Sequence, residues 1–265
     1  MKIRHVCLLL TLPLIALLTG CQSSTFPAPL SALPPIIGGS QPQQTAQHFS
    51  VEQTRTLSAN YLLFLPAGYD ASSTNRWPLI LFLHGAGERG SDVWLVAKHG
   101  PPKIDMHRAN FPFIVVSPQC PEDQVWSEDL LLALLDNIET NYPVDLHHVY
   151  LTGLSMGGFG TWDLGLSHPE RFAAIAPLCG GGEVIKPYLA SEKHPEELKS
   201  LAVWAFHGAK DPTVPVAESQ HMVGFLQHMG VREVKLTIYP DAQHDCWTQT
   251  YDKPDLFEWF LQHSR

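Results

Sequence analysis

Basic residues are scarce in this sequence, which carries 17 Lys and Arg against 26 Asp and Glu, for a net charge of -9. No cluster of five or more basic residues occurs, so nucleic acid is not an expected partner. The apolar run over residues 6–18 is too short to cross a membrane, because a spanning helix needs roughly 20 residues. Hydrophobic residues still make up 45% of the 265 residues, enough to bury one sizeable core.

Cysteines are also few, at five. None lies in a Cys-x-x-Cys pair or in a Cys/His spacing typical of zinc, so neither a metal nor a cofactor is predicted. Cys7 belongs to the N-terminal apolar run and Cys21 follows that run directly. The other three, Cys120, Cys179 and Cys246, are an odd number, so at most one disulfide can form among them. The sequence leaves open whether any does.

The N-terminus has the organisation of an exported protein. Lys2 and Arg4 precede the apolar run, and small residues follow it, which predicts a signal peptide over residues 1–20. An ordinary apolar helix is the alternative. Residues 18–21, Leu-Thr-Gly-Cys, resemble the lipobox of bacterial lipoproteins. That resemblance implies a lipid on Cys21. Because the next residue is Gln rather than Asp, it also implies an anchor in the outer membrane. An unmodified thiol at Cys21 is the alternative.

Residues 21–47 are rich in Pro, Ser and Gln, which is typical of a tether, and residues 48–265 are predicted to form the catalytic domain. Short apolar runs alternate with helical patterns through that domain. The alternation predicts an α/β fold with a mostly parallel sheet covered by helices on both faces. The predicted strands are 61–65, 79–83, 113–116, 149–152, 172–177, 202–206 and 234–239, and the predicted helices are 130–138, 157–166, 216–229 and 255–262.

The pentapeptide Gly153-Leu154-Ser155-Met156-Gly157 lies between a predicted strand and a predicted helix. A serine on so sharp a turn is exposed at the carboxyl edge of a sheet, as a nucleophile must be. The N–H of Met156 at the helix start is suited to bind a developing oxyanion. The alternative is a glycine-rich helix start in which Ser155 is merely a cap.

A serine nucleophile needs a base, and in a parallel sheet functional groups gather past the carboxyl ends of strands. Asp211 and His244 each follow a predicted strand, and serine, acid and histidine in this chain order are typical of α/β-hydrolases. Asp241 and Asp245 compete with Asp211 as the acid. We expect His207 to pack beside the Asp211 loop in a structural role.

The segment His84-Gly85-Ala86-Gly87-Glu88-Arg89-Gly90 follows another predicted strand. A glycine-rich loop at that place can direct a second backbone N–H toward an oxyanion. Ala86 is the favoured donor and Gly87 the second choice. Glu88 and Arg89 are expected to form a local ion pair that shapes the loop.

Several segments together resemble bacterial carboxylesterases of the α/β-hydrolase superfamily, in its feruloyl-esterase, poly(hydroxyalkanoate)-depolymerase and dienelactone-hydrolase-like branches. They are LFLHGAGERG, SPQCP, GLSMGGFGTW, FHGAKDPTVPV and HDCWTQTY, spread over roughly residues 50–263. The resemblance implies an α/β-hydrolase fold, a triad of Ser155, Asp211 and His244, and Ala86 and Met156 as oxyanion donors.

The expected substrate is an ester with a short or moderate acyl group, such as an acetyl or feruloyl ester on a polysaccharide. The domain is short for this fold, which leaves little sequence for a lid. Charged residues in 180–200 favour a wet surface there, and Trp126 and Trp247 are candidates for the cleft border. A prolyl-oligopeptidase-like peptidase, a phospholipase and a non-catalytic surface-binding lipoprotein are the alternatives.

Overall fold

The computed structural model describes residues 48–52, 54–70, 74–104 and 111–265. Contacts divide the chain into two units, Met1–Gln53 and Thr54–Arg265, and the fold below is that of the second. The predicted signal peptide, Cys21 and the tether lie outside the described residues. In the described part of the chain, no helix is both long and apolar enough to cross a bilayer.

A seven-stranded sheet forms the centre of the second unit, in the order β1-β3-β2-β4-β5-β6-β7. All neighbouring strands are parallel except β1, which runs antiparallel to β3. This confirms the predicted mostly parallel sheet. The strands are β1 Tyr61–Phe64, β2 Trp77–Leu83, β3 Ile114–Pro118, β4 Val144–Leu154, β5 Ala174–Leu178, β6 Ala202–Gly208 and β7 Val234–Tyr239.

Helices cover both faces of the sheet. Alternate strand residues point to opposite faces, so Leu79 and Leu81 belong to one buried core while Ile80 and Phe82 belong to the other. The first core is closed by α2 to α6 and the second by α1, α7 and α8. The helices are α1 Pro101–Ile104, α2 Glu128–Asn141, α3 Met156–Ser167, α4 Ile185–Lys193, α5 Pro195–Ser200, α6 Ala217–His228, α7 Trp247–Tyr251 and α8 Asp255–Phe260.

The register of the strands brings the predicted site loops to one edge. Leu83 at the end of β2 pairs with Gly153 on β4, and Leu154 pairs with Leu178 on β5. Gly208 at the end of β6 pairs with Tyr239 at the end of β7. The loops that follow β2, β4, β6 and β7 therefore leave the sheet at the same carboxyl edge.

The segment 180–200 differs from its sequence-based interpretation. It folds as α4 and α5, and α4 exposes an apolar stripe of Ile185, Tyr188 and Leu189. These positions are three and four apart, so they share one helix face. The wet surface expected from the charged residues of the segment thus also carries three exposed apolar side chains, which the charged residues concealed.

Candidate active site

Ser155 lies at the sharp turn between β4 and α3. Its backbone has φ 54° and ψ -116°, a strained conformation for a residue with a side chain. The turn is held by the Ser155 N–H, which donates to the Leu178 carbonyl oxygen of β5 at 3.0 Å. A Cβ on Gly157 would overlap the Leu83 carbonyl oxygen, and a Cβ on Gly153 would overlap that of Gly157. Both flanking glycines are therefore required by the close approach of backbone.

His244 and Asp211 meet Ser155 at this edge. The His244 Nε2 lies 2.9 Å from the Ser155 Oγ, and its Nδ1 lies 2.7 Å from Asp211 Oδ2. The carboxylate accepts a hydrogen bond from the Nδ1–H group, so Nε2 carries no proton and can accept the one from the serine hydroxyl. The three residues predicted from chain order are thus brought into one hydrogen-bonded line.

The Asp211 side chain is fully buried. Burial alone raises the pKa of a carboxyl group, but here the hydrogen bond from His244 and the N–H groups of Val214 and Thr213 outweigh it and lower the pKa of Asp211. Those two N–H groups donate to Oδ1 at 2.9 and 2.8 Å. Asp211 is therefore held ionised and fixed in orientation.

The competing acids lie elsewhere. Asp241 is 91% exposed in its side chain and pairs with Lys210 at 2.7 Å. The Asp245 carboxylate accepts from the N–H of Thr248 at 2.9 Å and from its hydroxyl at the same distance. Neither carboxylate bonds to the His244 ring, so the alternatives left open by the sequence are not supported by geometry.

His207 is buried beneath the Asp211 loop. Its Nε2 donates to the Val214 carbonyl oxygen at 2.9 Å, and its Nδ1 lies 2.7 Å from the hydroxyl oxygen of Ser219. The same Nε2 is 3.4 Å from Asp211 Oδ2. His207 thus supports the loop that carries the carboxylate, in the position predicted for it.

His84 shapes the loop that follows β2. Its Nε2 accepts the N–H of Cys120 at 3.0 Å, so the ring proton is on Nδ1 and is donated to the Gly85 carbonyl oxygen at 2.6 Å. Burial lowers the pKa of His84 to about 4, so the ring is neutral near pH 7. The Gly85 N–H in turn donates to Glu88 Oε2 at 3.1 Å. The loop therefore has one defined conformation.

Ala86 and Met156 occupy equivalent places on two adjacent segments. Ala86 is the first residue of a short 3₁₀ helix, Ala86–Glu88, and Met156 is the first residue of α3. The first N–H groups of a helix have no partner within it. Both N–H groups are thus available at the edge where Ser155 is exposed, whereas the Gly85 N–H is already used by Glu88.

The expected ion pair between Glu88 and Arg89 is wrong. Arg89 Nε donates to the Ala86 carbonyl oxygen at 3.0 Å, and its Nη1 donates to the Gln124 carbonyl oxygen at 3.3 Å. The buried Glu88 carboxylate bonds to the loop backbone and faces His99 at 3.8 Å. Backbone groups, which a sequence-based pairing of charges does not consider, satisfy both side chains.

A cavity of about 420 Å³ opens beside Ser155. We call it the Ser155 cavity; its lining residues are Val125, Trp126, Ser155, Met156, Phe159, Gly160 and Asp163. Trp126 was predicted to border the cleft, whereas Phe159 and Asp163 were missed. Their signal in the sequence was spacing: they lie four and eight residues after Ser155, on one face of α3.

Trp247, the other predicted aromatic, packs against the base of the proposed triad. Its ring meets the His244 ring edge-on at 5.3 Å and the His99 ring at 5.6 Å. Neither Trp247 nor His244 lines the Ser155 cavity. Two different groups of residues thus meet at Ser155. We call α3 with Trp126 the cavity side and His244 with Trp247 the histidine side of the site.

The three cysteines of the described domain, Cys120, Cys179 and Cys246, are free and buried. Within the described ranges, no three His, Cys, Asp or Glu side chains are grouped so that they could hold a metal ion. A further cavity of about 310 Å³, lined by residues that include His147, Glu170 and Arg265, contains none of the predicted site residues.

Comparison with known proteins points to esterases. Residues 127–254 match the model of a family described as Phospholipase/Carboxylesterase. A poly(3-hydroxyoctanoate) depolymerase of Pseudomonas fluorescens is 25% identical over 71% of this chain and 74% of its own. A probable feruloyl esterase C of Aspergillus terreus is 27% identical over 64% of this chain and 62% of its own.

Among solved structures, a thermostable esterase superposes with a TM-score of 0.63 at 34% identity, over 77% of this chain and 59% of its own. A ferulic acid esterase superposes with a TM-score of 0.59 at 20% identity, over 75% and 89%, and shows the α/β-hydrolase fold alone. Fold and relatives together place the chain among carboxylic ester hydrolases. The chain spans less than two thirds of the feruloyl esterase and of the thermostable esterase, so their substrates do not carry over to it.

Proposed function

We propose that this carboxylic ester hydrolase works through an acyl-enzyme intermediate on Ser155, with His244 as general base and Asp211 as the acid that orients it. The observation that carries the proposal is the hydrogen-bonded line from Ser155 Oγ through the His244 ring to Asp211 Oδ2, at 2.9 and 2.7 Å. A serine hydroxyl is a weak nucleophile until a base removes its proton. The alternative of a non-catalytic surface protein would not require this arrangement.

In the first half of the reaction, the Ser155 Oγ bonds to the ester carbonyl carbon while its proton passes to His244 Nε2. The buried Asp211 carboxylate stabilises the resulting imidazolium. Collapse of the tetrahedral intermediate breaks the bond to the alcohol oxygen, which takes the proton from Nε2. In the second half, water loses a proton to Nε2 while its oxygen bonds to the acyl carbon. The bond to Ser155 Oγ then breaks, Oγ takes the proton back from Nε2, and the carboxylic acid leaves.

We assign the developing oxyanion to the N–H groups of Ala86 and Met156. Both groups head helical segments at the carboxyl edge of the sheet, and the hydrogen bonds of His84 and Glu88 to Gly85 fix the first of them in place. Preorganised donors of this kind stabilise charge that appears only in the transition state. Removal of one such donor typically costs about 10²–10³ in kcat.

The test is hydrolysis of p-nitrophenyl acetate by the wild type, Ser155→Ala and a control, Ser200→Ala, at an exposed serine that ends α5. Ser155→Ala should lower the rate by roughly 10⁴–10⁶-fold. Ser200→Ala should keep most of the rate, because it removes only an exposed hydrogen bond to the Glu197 carbonyl oxygen. Retention of the rate in Ser155→Ala would refute the assignment.

We propose short or moderate acyl groups as substrates, on small alcohols or linked to polysaccharide. The Ser155 cavity, which is open to solvent, supports this choice. Rates for acetyl, butyryl and lauroyl esters, a phospholipid and a proline-containing peptide amide test it. Preference for the lauroyl ester or the phospholipid would favour a lipase-like enzyme, and preference for the amide would favour a peptidase.

We also propose that the enzyme is exported and anchored to the bacterial outer membrane by lipid on Cys21. The support is in the sequence: a basic start, an apolar run, the Leu-Thr-Gly-Cys segment and the Pro-rich tether after it. Metabolic labelling with a fatty-acid analogue should mark the wild type and not Cys21→Ser. Equal labelling of the two would exclude the anchor.

A further inference from the structure

The two sides of the site receive different parts of an ester. His244 Nε2 must reach the leaving oxygen to protonate it, so the alcohol part lies on the side of His244 and Trp247. The Ser155 cavity is lined by neither of those residues. On the proposed function, therefore, the acyl part of the substrate extends into the Ser155 cavity.

The walls of the cavity near Ser155 are apolar, and Trp126 is held in place there. Trp126 is held by its Nε1, which donates to the His84 carbonyl oxygen at 3.3 Å, and by an edge contact with the His84 ring at 4.8 Å. Gly160 lets the indole approach α3, since a Cβ there would lie 2.9 Å from Trp126 Cδ1. Phe159, which is 39% exposed, also lines the cavity. Such walls suit an apolar or aromatic acyl group.

The far end of the cavity is acidic. Asp163 lies two helical turns beyond Ser155 on the same face of α3, roughly 12 Å along the helix axis. Its side chain leans back toward the serine, because side chains on a helix tilt toward its N-terminus. An adjoining cavity of about 200 Å³ shares Trp126, Gly160 and Asp163 and continues to Glu128 and Lys186. An acyl group thus runs from Ser155 along the indole to a carboxylate.

The Asp163 carboxylate has spare hydrogen-bonding capacity. Among the described residues it accepts no hydrogen bond, and the nearby Lys186 Nζ is bonded to Glu128 at 3.3 Å. Burial raises the pKa of Asp163, with Glu183 and Glu128 adding to the effect and Lys186 opposing it. The charged form of a half-buried carboxylate in this position is stabilised by a ligand that donates a hydrogen bond to it.

We propose that Asp163 is a specificity-determining residue that selects acyl groups bearing a hydroxyl at their distal end. The hydroxyl donates to the Asp163 carboxylate, while the middle of the acyl group packs between Trp126 and Phe159. An acyl group that ends in a carboxylate is disfavoured, since Asp163 lies near Glu183 and Glu128 and the nearby Lys186 is already bonded to Glu128. The part of the acyl group between the ester carbonyl and this hydroxyl is either aromatic or aliphatic, and the experiment distinguishes the two.

The test compares kcat/KM for matched pairs of methyl esters, para-hydroxycinnamate with para-methoxycinnamate and ω-hydroxyhexanoate with ω-methoxyhexanoate. The methoxy member of each pair has a methyl group in place of the donor hydrogen. We expect the wild type to favour the hydroxy member of at least one pair by roughly 10- to 100-fold, as for a hydrogen bond to a charged group. The pair that shows the preference identifies the middle of the acyl group.

Asp163→Ala should bring that ratio close to one, and the control Asp129→Asn, at an exposed carboxylate of α2, should keep it. The readout is the ratio of two kcat/KM values measured on the same enzyme preparation. A variant that is only partly folded lowers both values equally, so the ratio does not change. Equal rates within both pairs in the wild type, or a ratio that survives in Asp163→Ala, would overturn the proposal. If the wild type also failed to hydrolyse p-nitrophenyl acetate, the proposed serine mechanism itself would be in error.

Discussion

Gly157 lies against the carbonyl oxygen of Leu83, so closely that a Cβ at position 157 would overlap that oxygen. The contact joins the first turn of α3 to the end of β2 and thereby sets the Ser155 turn beside the Ala86 loop. Gly157→Ala should therefore force backbone to move and destabilise the fold by roughly 1–3 kcal/mol or more. Urea unfolding, followed by circular dichroism, measures this loss.

Gly224→Ala is the matched control, because that glycine lies inside α6 with nothing within 4 Å of a new Cβ. Alanine there should stabilise the protein by roughly 0.5–1 kcal/mol through helix propensity. Similar unfolding free energies for the two variants would show that the Gly157 contact has no special role.

Asp211→Asn should reduce kcat by about 10⁴, because an amide fails to hold His244 in the tautomer that presents a bare Nε2 to Ser155. Asp241→Asn is the control, since it removes only an exposed ion pair with Lys210, worth at most about 1 kcal/mol. Steady-state kinetics on p-nitrophenyl acetate measure both. A large loss in Asp241→Asn with little loss in Asp211→Asn would reverse the assignment of the acid.

Stability should fall between pH 6.5 and pH 5 because of His84. The ordinary pKa of 6.5 applies to the unfolded chain, and burial lowers the pKa to about 4 in the folded protein. Between these values the unfolded state binds a proton that the folded state does not, so the free energy of unfolding rises with pH. This rise levels off above the unfolded-state pKa of 6.5. The loss on going from pH 6.5 to pH 5 is about 2 kcal/mol.

His84→Gln removes the titrating group and should give a smaller loss over the same interval, although its stability at pH 7 is lower. Urea unfolding of both proteins at pH 7 and pH 5 provides the comparison. The window stays above the range in which Glu233, whose pKa is lowered to about 2 against an opposing effect of burial, loses its contribution. Parallel losses in the two proteins would rule out His84 as the source.

The sequence predicts the sheet well because each central strand is an apolar run buried on both faces. The predicted range 234–239 coincides with β7, and 79–83 lies within β2. The start of β4 was missed, since Asp145, His147 and His148 there are polar. Strand pairing at Val144 continues past the apolar run, which a pattern based on hydrophobicity does not register.

The positions of Ser155, Asp211 and His244 were also accessible, because the carboxyl ends of parallel strands must share an edge. The surroundings of Glu88 and Asp163 could not be predicted from the sequence. Glu88 bonds to a backbone N–H three residues before it. Asp163 and Trp126 line the same cavity because the Trp126 ring packs against Gly160. Such contacts depend on tertiary geometry that local patterns do not encode.

The most direct measurement is to label the full chain with a fluorophosphonate and map the modified peptide by mass spectrometry. A fluorophosphonate bonds only to a serine whose hydroxyl is activated by a neighbouring base. The account predicts one modified residue, Ser155, with loss of esterase activity in proportion to labelling and no labelling of Ser155→Ala. Full labelling elsewhere, or an active esterase that the probe leaves unmodified, would contradict it.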